Sequence, residues 1–209
     1  MKLAIVNGSP RGKSSNSDRM IDWMIKGIEN TVKVYVKDEK KHAESIALIS
    51  DADSILIVCP LYTDAMPGLL KLFFEKMERE VFEGKYVSFV IHSGFSESIQ
   101  SRVVERYCRY FAGICGMKTL GCVVMGGSEG LQVAPDNYFK KRIAAFQTIG
   151  ENIASCHLFD EKALKIIARS ERSSKFKIFI VKLLPTDFYW NGQLKRNQAF
   201  DKRFDRPYK

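Results

Sequence analysis

From its first residues the chain alternates short apolar runs with segments whose apolar side chains recur every three or four positions, and no other feature constrains the fold as much. Lys2–Asn7 (KLAIVN) is an apolar run ended by Gly8, and Ser15 to about Asn30 sets Met20, Trp23, Met24 and Ile28 on one helical face. Thr31–Val36 is β-branched and aromatic, His42–Ser50 reads as a short helix, and Ser54–Cys59 (SILIVC) is a second fully apolar strand. A helix follows from Pro67 to about Glu80, with proline near its first position, where a missing N–H costs nothing. Tyr86–His92 and Thr119–Met125 are the fourth and fifth strands, separated by a helix over Ile99–Cys115 and followed by one over Asn137–Ser155. Strands joined by helices of this length imply βαβ crossovers and a parallel sheet covered on both faces. Leu3–Val6 and Ile55–Cys59, apolar throughout, belong at its centre. The expected architecture is α/β: a doubly wound five-stranded parallel sheet in the order 2-1-3-4-5, with its ligand crevice at the carboxyl ends of strands one and three.

The net charge of +9 suggests nucleic acid until its distribution is read: residues 1–159 carry +2 and residues 160–209 carry +7. The reading is therefore a nearly neutral domain over 1–157 and a basic, helical C-terminal extension over 158–209, docked on the body or on a partner subunit. Asp160–Arg172 reads as helix, and Phe176–Leu184 (FKIFIVKLL) as an apolar stretch between lysines that stops at Pro185. It is too short to span a bilayer, and peripheral membrane contact ranks below docking on protein. The stretch from Phe188 to Tyr208 mixes aromatics with Lys and Arg but holds no RNA or DNA motif, so no nucleic-acid partner is expected. Five cysteines without a CxxC pair fit a reducing compartment, and Leu3–Val6 is too short for a signal-peptide core, so a soluble cytoplasmic protein is expected. Cys108, Cys115 and Cys122 read as core thiols, and neither a metal site nor an iron–sulfur cluster is expected.

The loop after the first strand, Gly8-Ser9-Pro10-Arg11-Gly12-Lys13-Ser14-Ser15-Asn16-Ser17, supplies glycines, four hydroxyls, a guanidinium and the free N–H groups of a helix start, the chemistry of a phosphate cradle. It is not a P-loop, because three residues rather than four stand between Gly8 and Gly12-Lys13-Ser14. Strand three also ends Val58-Cys59-Pro60, without the acidic Mg²⁺ ligand that a nucleotide hydrolase needs. Across the crevice, Pro60-Leu61-Tyr62-Thr63-Asp64-Ala65-Met66-Pro67-Gly68 offers an aromatic ring, aliphatic faces and backbone amides to a flat heteroaromatic ligand.

Taken together, NGSPRxxSxxS after strand one and PLYxxxMPGxLKxFxE after strand three resemble the flavodoxin-like NAD(P)H-dependent FMN reductases over roughly Met1 to Ser155. The resemblance implies FMN as cofactor and NAD(P)H as co-substrate. Ser9, Arg11, Ser15, Asn16 and Ser17 would hold the phosphate, and Pro60, Leu61, Tyr62 and Met66 would line the isoalloxazine. Ser93 and Gly94, in the loop after strand four, would meet its pyrimidine edge, although the Gly-Gly pair usual there is replaced by His92-Ser93-Gly94-Phe95-Ser96. The flavin carries the redox chemistry and the protein supplies binding, orientation and electrostatics, so no protein nucleophile is required. His92 stands either as a group stabilising charge on the reduced flavin or as a hydrogen-bonded strand end. The implied activity passes electrons from a nicotinamide to a small acceptor: a quinone, a nitroaromatic or free flavin. A non-catalytic electron carrier of flavodoxin type is the alternative, disfavoured by the basic charge and by Met66-Pro67-Gly68; a P-loop-like nucleotide-binding protein stands behind it. Small reductases of this kind commonly dimerise, and the extension would then help to wall the partner's flavin site.

Overall fold

In the computed structural model, which describes residues 1–168, 171–174, 178–179 and 187–206, the chain forms two compact units, Met1–Arg172 and Ser173–Lys209. The first is built on five parallel strands, β1 (Leu3–Asn7), β2 (Thr31–Tyr35), β3 (Ser54–Pro60), β4 (Tyr86–His92) and β5 (Lys118–Met125), in the order β2-β1-β3-β4-β5. This is the doubly wound order that the alternation of elements predicts. Its helices are α1 (Asn16–Ile25), α2 (His42–Ser50), α3 (Gly68–Glu75), α4 (Arg79–Phe82), α5 (Arg102–Ile114), α6 (Gly130–Val133), α7 (Lys140–Ala154) and α8 (Glu161–Ile167).

Successive residues of the central strands point to opposite faces, and each face closes over its own apolar layer. Ala4, Val6, Ile57, Cys59, Phe89 and Ile91 meet Phe73, Phe74, Cys108 and Phe111 on one side. Leu3, Ile5, Leu56, Val58, Val90 and Val123 meet Met20, Trp23, Met24, Phe146 and Ile149 on the other. Cys59, Cys108 and Cys115 are buried and Cys122 is half-buried, and burial pushes all four thiols up from their ordinary range, as suits packing groups.

Several boundaries differ from the sequence expectation. The first helix ends at Ile25 rather than near Asn30, because Lys26 turns out to an extended ψ of 116°. The helix expected to run from Pro67 to Glu80 is α3, capped by Pro67, followed by the separate short α4. The first unit also runs past 157: α8 buries Ala163 and Ile167 in the layer of α1 and α7, and the Ile99 N–H donates to the Glu171 carbonyl at 3.3 Å. In the second unit α9 spans Asp187–Arg196, and Lys195 and Arg203 lie over the ring of Phe200. Of Phe176–Leu184 only Ile178 and Phe179 fall among the described residues, so the docking expected of that stretch lies outside them, as do Pro207 and Tyr208.

Candidate functional site

Asn7, the last residue of β1, organises the loop that follows. Fully buried, it donates through Nδ2 to the Gly12 carbonyl (3.3 Å), Ser15 Oγ (3.4 Å) and Asp18 Oδ1 (3.0 Å), while its Oδ1 accepts from the Ser9 N–H at 3.0 Å. Gly12 sits at φ +56°, a left-handed turn that a side chain would strain. Ser15 caps α1, accepting from the Asp18 N–H at 3.1 Å and donating to the Gly12 carbonyl at 2.6 Å. The N–H groups of Asn16 and Ser17 then find no acceptor among the described residues, and the positive end of the helix dipole stands behind them. Arg11 is exposed and makes no ion pair among the described residues. The one carboxylate in this first turn, Asp18, is matched by Lys33 at 3.3 Å. Burial works against the Lys33 charge, but the Asp22 hydrogen bond and both carboxylates hold its pKa above the ordinary lysine value.

Ser9, Arg11, Ser15 and Asn16 form one wall of a cleft at the carboxyl ends of the strands. Pro60, Leu61 and Tyr62, after β3, form the second, with Tyr62 43% exposed. His92, Ser93 and Gly94, after β4, form the floor. The structure thus brings together nine of the eleven residues singled out as binding candidates, together with His92. The other two stand elsewhere. Met66 lies beyond the turn closed by mutual Tyr62–Ala65 hydrogen bonds and lines a separate apolar cavity of about 300 Å³ with Val103, Val104 and Tyr107. Ser17 is fully buried, and its Oγ lies 2.8 Å from His92 Nε2 instead of facing the cleft.

Three further wall residues, Ser128 and Glu129 from the loop after β5 and Gln132 from α6, have no counterpart in the sequence expectation. The rule that ligands gather at strand carboxyl ends already points to Gly126-Gly127-Ser128-Glu129-Gly130. Side chains from α1 hold this loop in place: Asn16 Nδ2 donates to the Ser128 carbonyl at 2.9 Å, and Arg19 bonds the carbonyls of Leu131 and Ala134 and the Asp136 carboxylate. The Arg19 hydrogen bond keeps Asp136 below the usual carboxylate range.

His92 is the second brace. Its Nε2 meets Ser17 Oγ, and its Nδ1 meets Ser128 Oγ at 3.0 Å, so one imidazole joins the start of α1 to the loop after β5. Burial depresses its pKa to about 3, which keeps the ring neutral. With both ring nitrogens bonded, His92 has the geometry of a hydrogen-bonded strand end. A folded-state pKa below the ordinary value of 6.5 means that the unfolded chain takes up the proton first. Stability present above pH 6.5 is therefore lost as the pH falls toward 3, at up to about 1.4 kcal/mol per pH unit. Urea unfolding at pH 7 and pH 5 is expected to show His92→Gln losing about 2 kcal/mol less than the parent between the two. Equal losses would contradict a buried neutral imidazole.

The donor set suits FMN. Two N–H groups without an acceptor among the described residues, a guanidinium and the Ser9 hydroxyl gather at one end, as a phosphate requires. Pro60, Leu61 and Tyr62 offer apolar surface to a ring system at the other. Between them, the buried Ser93 Oγ has no hydrogen-bond partner among the described residues, a cost that a polar ligand edge would remove. The enclosed part of the cleft is small, about 60 Å³, so most of a nucleotide-sized ligand would remain accessible from solvent.

Comparison with known proteins agrees with this geometry. The chain superposes on an NADPH-quinone reductase from P. pentosaceus with a TM-score of 0.59 at 18% identity, covering 73% of this chain and 99% of that one. It superposes on the general stress protein 14 of Treponema denticola, in complex with FMN, with a TM-score of 0.52 at 14% identity, covering 70% and 100%. For an FMN-dependent NADH-azoreductase from Bacillus anthracis str. Ames Ancestor, in complex with FMN, the score is 0.55 at 14% identity, covering 73% and 99%. At these identities the likeness establishes the flavodoxin-like fold. No curated protein sequence matches the chain. The profile of the NADPH-dependent FMN reductases matches residues 1–130, well over half of the chain. With that match added to the fold and the cleft, the chain belongs to the NADPH-dependent FMN reductase family, whose members are FMN-containing oxidoreductases that use NAD(P)H.

Proposed function

We propose that this reductase passes electrons from NAD(P)H through FMN to a small, flat acceptor: a quinone, a nitroaromatic or free flavin. The observation that carries the reading is one cleft with a cationic, N–H-rich end and an apolar, aromatic end, open to solvent. Arg11, Ser9 and Asn16, with the N–H groups of Asn16 and Ser17, would hold the phosphate, and Ser15 would fix the start of α1 behind them. Pro60, Leu61 and Tyr62 would support the ring system, and Ser93 and Gly94 would meet its polar edge. Bound there, FMN would supply the two-electron transfer between nicotinamide and acceptor. The chain's own part is to orient the ring and to leave one face reachable; no protein acid, base or nucleophile is assigned. Ser17 acts from behind the wall and His92 from the floor, the two fixing its geometry together, and Met66 supports the Tyr62–Ala65 turn from its far side.

The experiment is turnover. Purified protein supplied with FMN is expected to consume NADH or NADPH steadily in the presence of a soluble quinone and to retain flavin absorbance after desalting. Retained flavin without steady consumption would mark the carrier of flavodoxin type. We further propose a cytoplasmic homodimer. The exposed Val103, Tyr110 and Ile114 of α5 offer apolar surface for it, and the mass in solution tests it.

A further inference from the structure

We propose that the second unit, Ser173–Lys209, docks the enzyme on the surface of an anionic lipid bilayer. Its 37 residues fall below the size at which a chain segment builds its own core, and it contains no cysteine for a disulfide. None of its described residues is buried. Trp190 is 66% exposed and Phe204 80%, and Ile178 and Phe179 are exposed as well. So much apolar surface on a small unit calls for a partner.

Charge selects the partner. The unit carries nine Lys and Arg against three Asp, a net +6, whereas Met1–Arg172 carries 24 Lys and Arg against 21 acidic residues, a net +3. Neither the body nor a second copy of the unit is electrostatically complementary to it, and an acidic surface is. The cations are placed among the rings: Lys195 Nζ lies 5.0 Å from the Phe200 centroid, and the Arg203 guanidinium lies 4.0 Å from Phe200 and 4.8 Å from Phe204. Basic heads over apolar bodies suit an interface of headgroups and acyl chains. Between lipid and single-stranded nucleic acid, the sequence favours lipid. Around Lys182 run Ile178-Phe179-Ile180-Val181 and Leu183-Leu184, five aliphatic residues to one aromatic. Aliphatic side chains give bases no stacking surface, whereas the acyl boundary accepts them.

The test uses the full-length holoenzyme with vesicles of phosphatidylcholine alone or with 30% phosphatidylglycerol, read by sedimentation and by tryptophan emission. Trp23 is buried in the first unit, so a Trp190→Phe variant assigns any vesicle-induced shift. The expected result is binding about tenfold or more tighter to the phosphatidylglycerol vesicles, reversed by salt, with a blue shift that Trp190→Phe abolishes. Combining Lys195→Glu, Arg196→Glu, Lys202→Glu and Arg203→Glu is expected to weaken that binding at least tenfold while turnover with a soluble quinone is unchanged. Equal binding to both vesicles, a Trp190 emission indifferent to lipid, or unweakened binding by the charge variant would each overturn the proposal. So would release from the vesicles by a single-stranded oligonucleotide, in favour of nucleic acid. Because turnover is followed in the same samples, failure of the docking and failure of the reductase reading give different results.

Discussion

Gly150→Ala is expected to lower the melting temperature by roughly 6–12 °C, the equivalent of about 3 kcal/mol in a chain of this size. Gly150 lies inside α7 where that helix crosses α1, and a Cβ there would stand 1.9 Å from the Met24 carbonyl oxygen and 2.8 Å from its carbon. Both are backbone atoms of α1, so no rotamer change relieves the overlap. The helices must separate, which opens the layer of Met20, Trp23, Phe146 and Ile149. The same substitution at Gly113, in the last turn of α5, meets no atom within 4 Å. There the gain in helix propensity over glycine stabilises by up to about 1 kcal/mol. Thermal unfolding of the two variants should therefore show shifts of opposite sign. A Gly150→Ala protein melting within 2 °C of the parent would mean that α1 and α7 do not approach as closely as they do here.

These two glycines illustrate what the sequence discloses and what it withholds. Both sit in apolar-periodic segments that read as helix, and both segments are helical. Nothing in the one-dimensional pattern separates a glycine kept for a crossing from one that touches nothing, because the difference lies in a segment more than 120 residues away. The sheet order was legible for the opposite reason. Fully apolar strands belong at the centre of a parallel sheet, and βαβ handedness and crossover length leave few orders open. At the site, the phosphate loop and the Pro60–Tyr62 wall were legible because local chemistry marks them. Ser17 was not: its hydroxyl looks equivalent to that of Ser15 until His92, 75 residues on, turns out to bond it. The resemblance puts Met66 on the ring wall, but the left-handed Thr63 (φ 48°) and Asp64 (φ 62°) carry the chain past that wall first. The strand-end rule marks the loop after β5, but which of its side chains, with Gln132 of α6, face the cleft is settled by the bonds from Arg19 and Asn16, a tertiary effect.

Arg11→Ala is expected to weaken FMN binding by about 1.5–3 kcal/mol, or roughly 10- to 150-fold in Kd, the loss of a charge-assisted hydrogen bond to phosphate. Exposure places the effect toward the lower end of that range at 0.1 M salt and makes it grow as salt is lowered. Lys13 supplies the control. It lies two residues on and is equally cationic, but it lines only the neighbouring hollow, which Arg11 also borders, and takes no part in the cleft wall. A purely long-range electrostatic contribution would make Lys13→Ala nearly as damaging as Arg11→Ala. Direct contact would instead leave Lys13→Ala within about threefold of the parent, and Arg11→Lys would recover only part of the loss because an ammonium lacks the planar fork. Fluorescence titration of flavin-stripped protein distinguishes the two patterns. Unchanged affinity in Arg11→Ala would remove the guanidinium from the site and leave the Ser9 hydroxyl and the open N–H groups of α1 to hold the phosphate alone. Affinity that instead fell equally in both variants would make the cradle a diffuse positive field and not a fitted one.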